Sequence, residues 1–308
     1  MEPSASIYVA GHRGLVGSAL VKRLRLAGYT RLVLKSRAEL DLTKREAVEA
    51  FFRQEKPDYV FLAAARVGGI LINQTAPAEF IRDNLLIQTS VLDSAHLVGV
   101  KRLIFFGSAC LYPRECPQPM KEEAILTGPM EPTSDAYATS KLAGWKMCDA
   151  YNRQYGTQFL TVIPATLYGP HDHFDPETSH VLSALLRRCH ENRSNPAVTV
   201  WGSGRPVREF LYVDDLAEAC LFLMNREGAL PGSPINVGTG QGTSIRRLAE
   251  IIGSIVGFRG TLEFDSTKPD GAPEKVLDGS RMRTLGWSAR TPLEEGLRRT
   301  YEWYLSQN

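Results

Sequence analysis

Tyr137 and Lys141, in the string YATSK, are two residues whose types and spacing suit proton transfer. On a helix, a four-residue separation puts both side chains on one face. An ammonium there favours the phenolate and draws the tyrosine down toward the working range of an acid–base catalyst. Ser108 precedes the pair by about thirty residues and closes the apolar run RLIFFGS. A hydroxyl at such a strand end is suited to bond a carbonyl that is being reduced. Cys110 follows two residues later, in GSACLYP. A cysteine just past a buried strand is ordinarily a small core residue, and a plain carbonyl reductase has no use for a thiol there.

A second group of residues suits a phosphate-bearing cofactor. VAGHRGLVGSALVKRL places Gly11, Gly14 and Gly17 between a first strand and a first helix. Glycines there permit a tight turn, close approach of backbone to a pyrophosphate and close helix–strand packing, with the phosphates at the helix N-terminus. The spacing is GxxGxxG rather than GxGxxG, so its position after the first strand carries the inference. His12, Arg13, Leu15 and Val16 complete the expected cofactor loop. Some twenty residues on, the second strand ends in LKSRAEL, where an NAD site usually carries an acid for the ribose 2′-hydroxyl. Lys35 and Arg37 stand there instead, with Glu39 and Asp41 slightly too late, and Arg13 within reach from the loop. That pattern favours NADP(H).

These groups need elements to hold them. The first half of the chain alternates short apolar runs (SIYVAG, RLVLKS, DYVFLAAA, RLIFFGS, FLTVIPATLYG) with helical periodicity over about 16–27, 44–54, 84–98 and 137–155. Regular alternation predicts an α/β fold, a Rossmann-type doubly wound parallel sheet covered on both faces. After Pro170 the texture changes to the polar stretch HDHFDPETSH, a helix VLSALLRRCHEN, strands in VTVWGSG and REFLYV, and further short elements. We expect a cofactor domain over residues 1–170 and a smaller mixed α/β substrate domain over 171–308, with some later segments returning to the first sheet.

Composition narrows the function classes. The chain has 308 residues and a net charge of +2, so it offers no general attraction to nucleic acid or an anionic membrane. Its longest apolar stretch, YVFLAAARVGGILI, is too short to span a bilayer and contains Arg66. The N-terminus shows no basic region followed by an apolar one, and a cytoplasmic enzyme is the expectation. Five cysteines without CxxC spacing indicate neither a disulfide framework nor a metal site.

The chain resembles the extended short-chain dehydrogenase/reductase superfamily and, within it, the GDP-4-keto-6-deoxy-D-mannose epimerase/reductases. The resemblance runs over nearly the whole length, through GHRGLVGSA, LAAARVGGI, GSACLYP, QPMKEE, EPTSDAYATSK, TLYGPHDHF, SHVLSALLRR, WGSGRPVREFLYVDDLA and KPDGAPEK. It implies an NADP(H)-dependent homodimer making GDP-L-fucose, with dimer contacts through helices of the first domain. Epimerisation at C3 and C5 removes protons on either side of the C4 ketone and returns them from the opposite face, which demands an acid and a base besides the tyrosine. Cys110 and His180 occupy the family's acid–base positions. A cationic setting brings a thiol into useful range, and histidine titrates near neutrality. Cys116, Cys148, Cys189 and Cys220 have no such support and read as structural. The resemblance adds Pro164, Leu167, His180 and Lys141 to the cofactor contacts.

A sugar nucleoside diphosphate requires cations in the second domain. Arg208 in PVREFLYVDD is the first choice, because a guanidinium fork holds phosphate or hydroxyls bidentately. Arg188, with Arg187 as competitor, is the second, and Trp201, Lys268 and Asp270 are expected beside the base, ribose or sugar. Two positions depart from the family pattern: Thr166 stands where asparagine is common, and Ala109 where serine is. A 4-epimerase of another nucleotide sugar, holding NAD, would need neither Cys110 nor His180. A non-catalytic NADPH-sensing module would not need serine, tyrosine and lysine together.

Overall fold

Four consecutive residues explain why the central sheet is covered on both faces. In β1 (Ile7–Ala10) successive side chains point to opposite sides. Ile7 and Val9 enter one apolar cluster, Tyr8 and Ala10 another. The computed structural model describes residues 1–175, 179–228, 233–268 and 270–307. Residues 176–178, before His180, and Pro269 of the KPDG segment lie outside them. The chain continues through α1 (Leu15–Leu26), β2 (Leu32–Val33), α2 (Arg45–Glu55), β3 (Tyr59–Leu62), α3 (Ile70–Thr75), α4 (Pro77–Leu97), β4 (Arg102–Phe106), α5 (Asp135–Tyr155), β5 (Phe159–Pro164) and β6 (Thr166–Tyr168). Then come α6 (Val181–Glu191), β7 (Ala197–Trp201), β8 (Val207–Tyr212), α7 (Val213–Asn225), β9 (Ile235–Val237) and β10 (Gly242–Ser244). The last elements are α8 (Ile245–Val256), β11 (Thr261–Asp265), β12 (Glu274–Lys275), α9 (Ser280–Thr284) and α10 (Leu293–Gln307).

The main sheet has six parallel strands in the order β2-β1-β3-β4-β5-β9. α1 and α7 contribute to the cluster on the Ile7–Val9 face, and α2, α4 and α5 to the cluster on the Tyr8–Ala10 face. This is the doubly wound Rossmann-type arrangement that the alternation predicts. Winding reverses between β1 and β3, which opens a crevice at the carboxyl ends of those strands.

Local differences from the sequence reading have simple causes. RLVLKS contributes only Leu32–Val33 to the sheet, because it is an edge strand paired on one side, and Lys35 falls in the following loop. α4 begins at Pro77 rather than near residue 84, with proline at the first helical position where its missing N–H costs nothing. FLTVIPATLYG is two strands. β5 belongs to the main sheet, Ala165 donates its N–H to Val237, and β6 leaves to pair with β8.

β8 is the centre of the second sheet, flanked by β10 antiparallel and β12 parallel. β7 and β11 form a separate parallel pair. α6 buries Leu182, Leu185, Leu186 and Cys189, the i, i+3, i+4, i+7 stripe of an amphipathic helix, in a cluster with residues of α8 and α10. β9 and α7 lie beyond residue 170, yet β9 pairs with β5 and α7 packs on α1. Among the described residues no helix is long and apolar enough to cross a membrane.

Candidate active site

β4 and α5 deliver the serine, thiol, tyrosine and lysine to one place. The apolar run RLIFF is buried from Leu103 to Phe106, so the strand end is fixed in depth. Ser108 then starts a single 3₁₀ turn, Ala109–Leu111, and its Oγ accepts the Cys110 N–H at 3.2 Å. That contact sets the backbone of Cys110 beside the serine hydroxyl. Cys110 is half-buried and carries a free thiol. Tyr137 lies in the first turn of α5 near Ser108 and Cys110, with Phe80 edge-on at 6.3 Å between ring centroids. Burial pushes the phenol above its ordinary value, the nearby Cys110 adds to this, and the Ser108 hydroxyl opposes it.

Lys141 follows one turn later and is buried. Its Nζ donates to the Phe106 carbonyl at 2.9 Å and lies 4.9 Å from the Phe105 ring centroid and 5.9 Å from that of Tyr137. The helical spacing thus gathers the pair, but the ammonium is engaged by the strand-end carbonyl. The expected lowering of the tyrosine is not what this arrangement produces, because desolvation of the phenol dominates. Desolvation also brings Lys141 down to about 8.

The glycine loop lies at the reversal point of the sheet. Gly17 packs so closely that a methyl there would overlap the Gly11 carbonyl, so α1 rests directly on the turn. Gly14 caps α1 without any side-chain hydrogen bond, leaving the first N–H groups of a twelve-residue helix uncapped by side chains. His12 Nδ1 is buried with no partner among the described residues. Leu15 and Val16 open α1, and Arg13 is exposed on the loop. Lys35 and Arg37 stand past β2, and none of Arg13, Lys35 and Arg37 forms a salt bridge among the described residues. The two late acids are occupied elsewhere. Glu39 accepts the Ser36 N–H at 2.8 Å and the Ser36 hydroxyl at 2.5 Å, while Asp41 accepts the Thr43 N–H at 3.0 Å and its hydroxyl at 2.8 Å. An uncapped helix N-terminus, an orphaned imidazole nitrogen and a cationic rim fit a dinucleotide with a phosphorylated ribose. Pro164 ends β5 and Leu167 lies in β6, where the chain leaves the main sheet.

The second region gathers the other cations. Arg188 donates to the Thr199 carbonyl at 2.8 Å and lies 5.6 Å from the Trp201 ring centroid, as does Lys268. Trp201 is 57% exposed, so an aromatic ring with two cations near it is in contact with solvent. Arg187 pairs instead with Glu191 at 2.7 Å. Arg208 is half-buried, and desolvation lowers it while Asp270 opposes. Its only side-chain hydrogen bond among the described residues runs from Nη1 to the Val207 carbonyl at 2.8 Å. Asp270 is tied to the WGSG turn, accepting the Ser203 N–H at 2.6 Å and its hydroxyl at 2.8 Å. His180 is the exposed N-cap residue of α6. No hydrogen bond joins it to Cys110 among the described residues. Nor is any group of three or more metal-ligating side chains assembled among them.

The sequence pattern of the NAD dependent epimerase/dehydratase family matches residues 7–238, from β1 through β9. The chain belongs to this family. Among curated relatives it is similar to GDP-L-fucose synthase 1 of Arabidopsis thaliana, at 55% identity over 99% of this chain and 94% of that one. A solved GDP-6-OMe-4-keto-L-xylo-heptose reductase from C. jejuni is 37% identical, with a TM-score of 0.94 and coverage of 100% and 99%. A GDP-L-fucose synthetase from Naegleria fowleri, solved bound to NADP, is 29% identical, with a TM-score of 0.90 and coverage of 100% and 96%.

Two buried or partly buried acids beside these groups escape the sequence reading. Asp172 lies in PHDHF, its carboxylate bonded by the buried Ser183 hydroxyl in the first turn of α6 and by the His173 N–H at 2.8 Å. Burial raises its pKa, and the hydrogen bonds from Ser183 and His173 work against that rise. Glu209 is 1% exposed and follows Arg208 directly. Its signal in the sequence is a lone carboxylate inside the apolar strand REFLYV.

Proposed function

We propose that this protein converts GDP-4-keto-6-deoxy-D-mannose to GDP-L-fucose, by epimerisation at C3 and C5 and reduction at C4. The observation that carries the reading is Cys110, a free cysteine whose backbone N–H donates to Ser108 Oγ and which lies near Tyr137. A reductase needs the serine and tyrosine. The thiol at the same carbonyl adds a group that can take a proton from a carbon next to it. The high identity to GDP-L-fucose synthase 1 of Arabidopsis thaliana supports the substrate.

In this reading Cys110 removes the proton at C3 or C5, and His180 returns one to the opposite face. Ser108 bonds the C4 oxygen and stabilises the enolate. Gly11, Gly14 and Gly17 would cradle NADPH, which when bound would supply the hydride for C4, and Tyr137 gives the C4 oxygen its proton. Lys141, poised near neutrality, keeps positive charge beneath the phenol as that proton leaves. Arg13, Lys35 and Arg37 select NADP(H) through the 2′-phosphate. Arg188, Trp201, Arg208, Lys268 and Asp270 hold the GDP moiety, Asp270 by keeping the WGSG turn in place. Residues 1–170 carry the cofactor, and most of 171–308 carries the sugar nucleotide. We further propose a cytoplasmic homodimer joined through α4 and α5, which leave Leu86, Leu97 and Tyr155 exposed.

Incubation with GDP-4-keto-6-deoxy-D-mannose and NADPH, followed by determination of the product's configuration, tests the reading. An L-configured 6-deoxy sugar is expected. A product unchanged at C3 and C5 would leave reduction alone, and no turnover of this ketone would reject the substrate.

A further inference from the structure

The carboxylate of Glu209 is buried in a place where no cation answers it. Among the described residues it forms no salt bridge, and every partner it has is a hydrogen-bond donor from another segment. Oε1 accepts the Gly240 N–H at 2.6 Å and the Thr239 hydroxyl at 3.3 Å, and Oε2 accepts the Leu277 N–H at 2.7 Å. Desolvation pushes the acid up, and these donors hold it down. Gly238 lies against it so tightly that a methyl there would overlap Oε1.

The three donors belong to different parts of the site. Thr239 and Gly240 follow β9 after Gly238, and β9 pairs with β5 in the cofactor sheet. Leu277 bridges Met120, with Met120 N–H bonded to the Val276 carbonyl at 2.7 Å, so it leads to the segment that leaves the Cys110 turn. Glu209 itself is the neighbour of Arg208 in β8. Alternation sends the two side chains to opposite faces, one into this junction and the other toward the Asp270–Gly271 turn, where Nη2 would stand 3.4 Å from a methyl on Gly271. Arg208 is also the residue registered against Thr243 of β10 and Lys275 of β12.

We infer that Glu209 is a positioning residue for sugar-nucleotide binding, fastening the strand that presents Arg208 to the cofactor sheet and to the segment behind Cys110. The inference rests on the reading of Arg208 as a substrate contact. Both carboxylate oxygens accept, so an amide in their place must turn its NH₂ toward an N–H donor and open one of the three contacts. Glutamine keeps the size of the side chain and changes only that.

The full chain is assayed with GDP-4-keto-6-deoxy-D-mannose and NADPH. Arg208→Ala tests the underlying reading: an unchanged KM for the sugar nucleotide overturns Arg208 as a contact, and the role of Glu209 falls with it. Given a raised KM in that variant, Glu209→Gln is expected to raise the sugar-nucleotide KM about tenfold and leave the NADPH KM within about twofold. It should add little further in the Arg208→Ala background, because the two residues act as one unit. A wild-type sugar-nucleotide KM in Glu209→Gln, or an effect that multiplies with Arg208→Ala, overturns the proposal while sparing Arg208. A merely structural role would lower the melting temperature and leave that coupling at zero. If Glu209→Gln does not fold, Thr239→Val removes one donor to Oε1 and carries the same comparison on a scale of about two- to threefold, with an unchanged KM again refuting it.

Discussion

Replacing Lys141 by methionine should stabilise the ligand-free protein at neutral pH while abolishing reduction. The lysine is 4% exposed, and its ammonium's one hydrogen bond among the described residues is to the Phe106 carbonyl at 2.9 Å. Burial brings it from 10.5 to about 8, so the charged form costs the folded state roughly 3 kcal/mol near pH 7. That cost is fully present below about pH 8. It fades as pH rises toward the unfolded value, because over that window the unfolded chain still holds a proton that the folded chain has released. Through this group alone, wild-type stability rises by roughly 2–3 kcal/mol from pH 7 to pH 10. Methionine removes the charge at similar volume but leaves the Phe106 carbonyl without its donor, a loss of about 1.5 kcal/mol. The variant should therefore be about 1–2 kcal/mol more stable than wild type at pH 7 and slightly less stable at pH 10. Urea unfolding of both proteins at several pH values, followed by tryptophan fluorescence, measures the difference, in which all other titrating groups cancel. Parallel curves from pH 7 to pH 10 would refute the reasoning. A cation that folding disfavours is free energy held for the bound state, recovered when a ligand accepts hydrogen bonds from it.

The remaining predictions separate the roles in the site. Cys110→Ser should bind NADPH with unchanged affinity yet lose fast solvent-deuterium incorporation into the 4-keto sugar by about a hundredfold; exchange at the wild-type rate would remove the thiol from the mechanism. Tyr137→Phe should slow NADPH oxidation by about 10²–10⁴ while exchange persists, and loss of both activities together would contradict the division of labour. Lys35→Ala combined with Arg37→Ala should raise the KM for NADPH by at least about tenfold and leave that for NADH nearly unchanged. Equal effects on the two cofactors would show that these side chains do not read the 2′-phosphate.

Much of this protein is legible in its sequence because the relevant physics is local. Gly11, Gly14 and Gly17 are fixed by a strand–turn–helix of a few residues, and the four-residue spacing of Tyr137 and Lys141 needs only a helix. Alternating apolar runs suffice for a doubly wound sheet. Where the helix points its lysine is another matter. Lys141 ends on the Phe106 carbonyl because α5 packs against β4, and desolvation by that packing reverses the expected shift of Tyr137. Arg187 and Arg188 are indistinguishable in the string LLRRCHEN until Glu191 takes the first and Trp201 the second. FLTVIPATLYG reads as one strand because nothing local marks Ala165 as the residue where the chain passes from one sheet to the other. Glu209 shows the same limit most plainly: its donors lie about thirty and about seventy residues away, and only the tertiary fold brings them together. Sequence alone determined which chemical groups are present and on which elements. Tertiary structure decided their partners and their exposure, because desolvation and long-range hydrogen bonds depend on which segments meet.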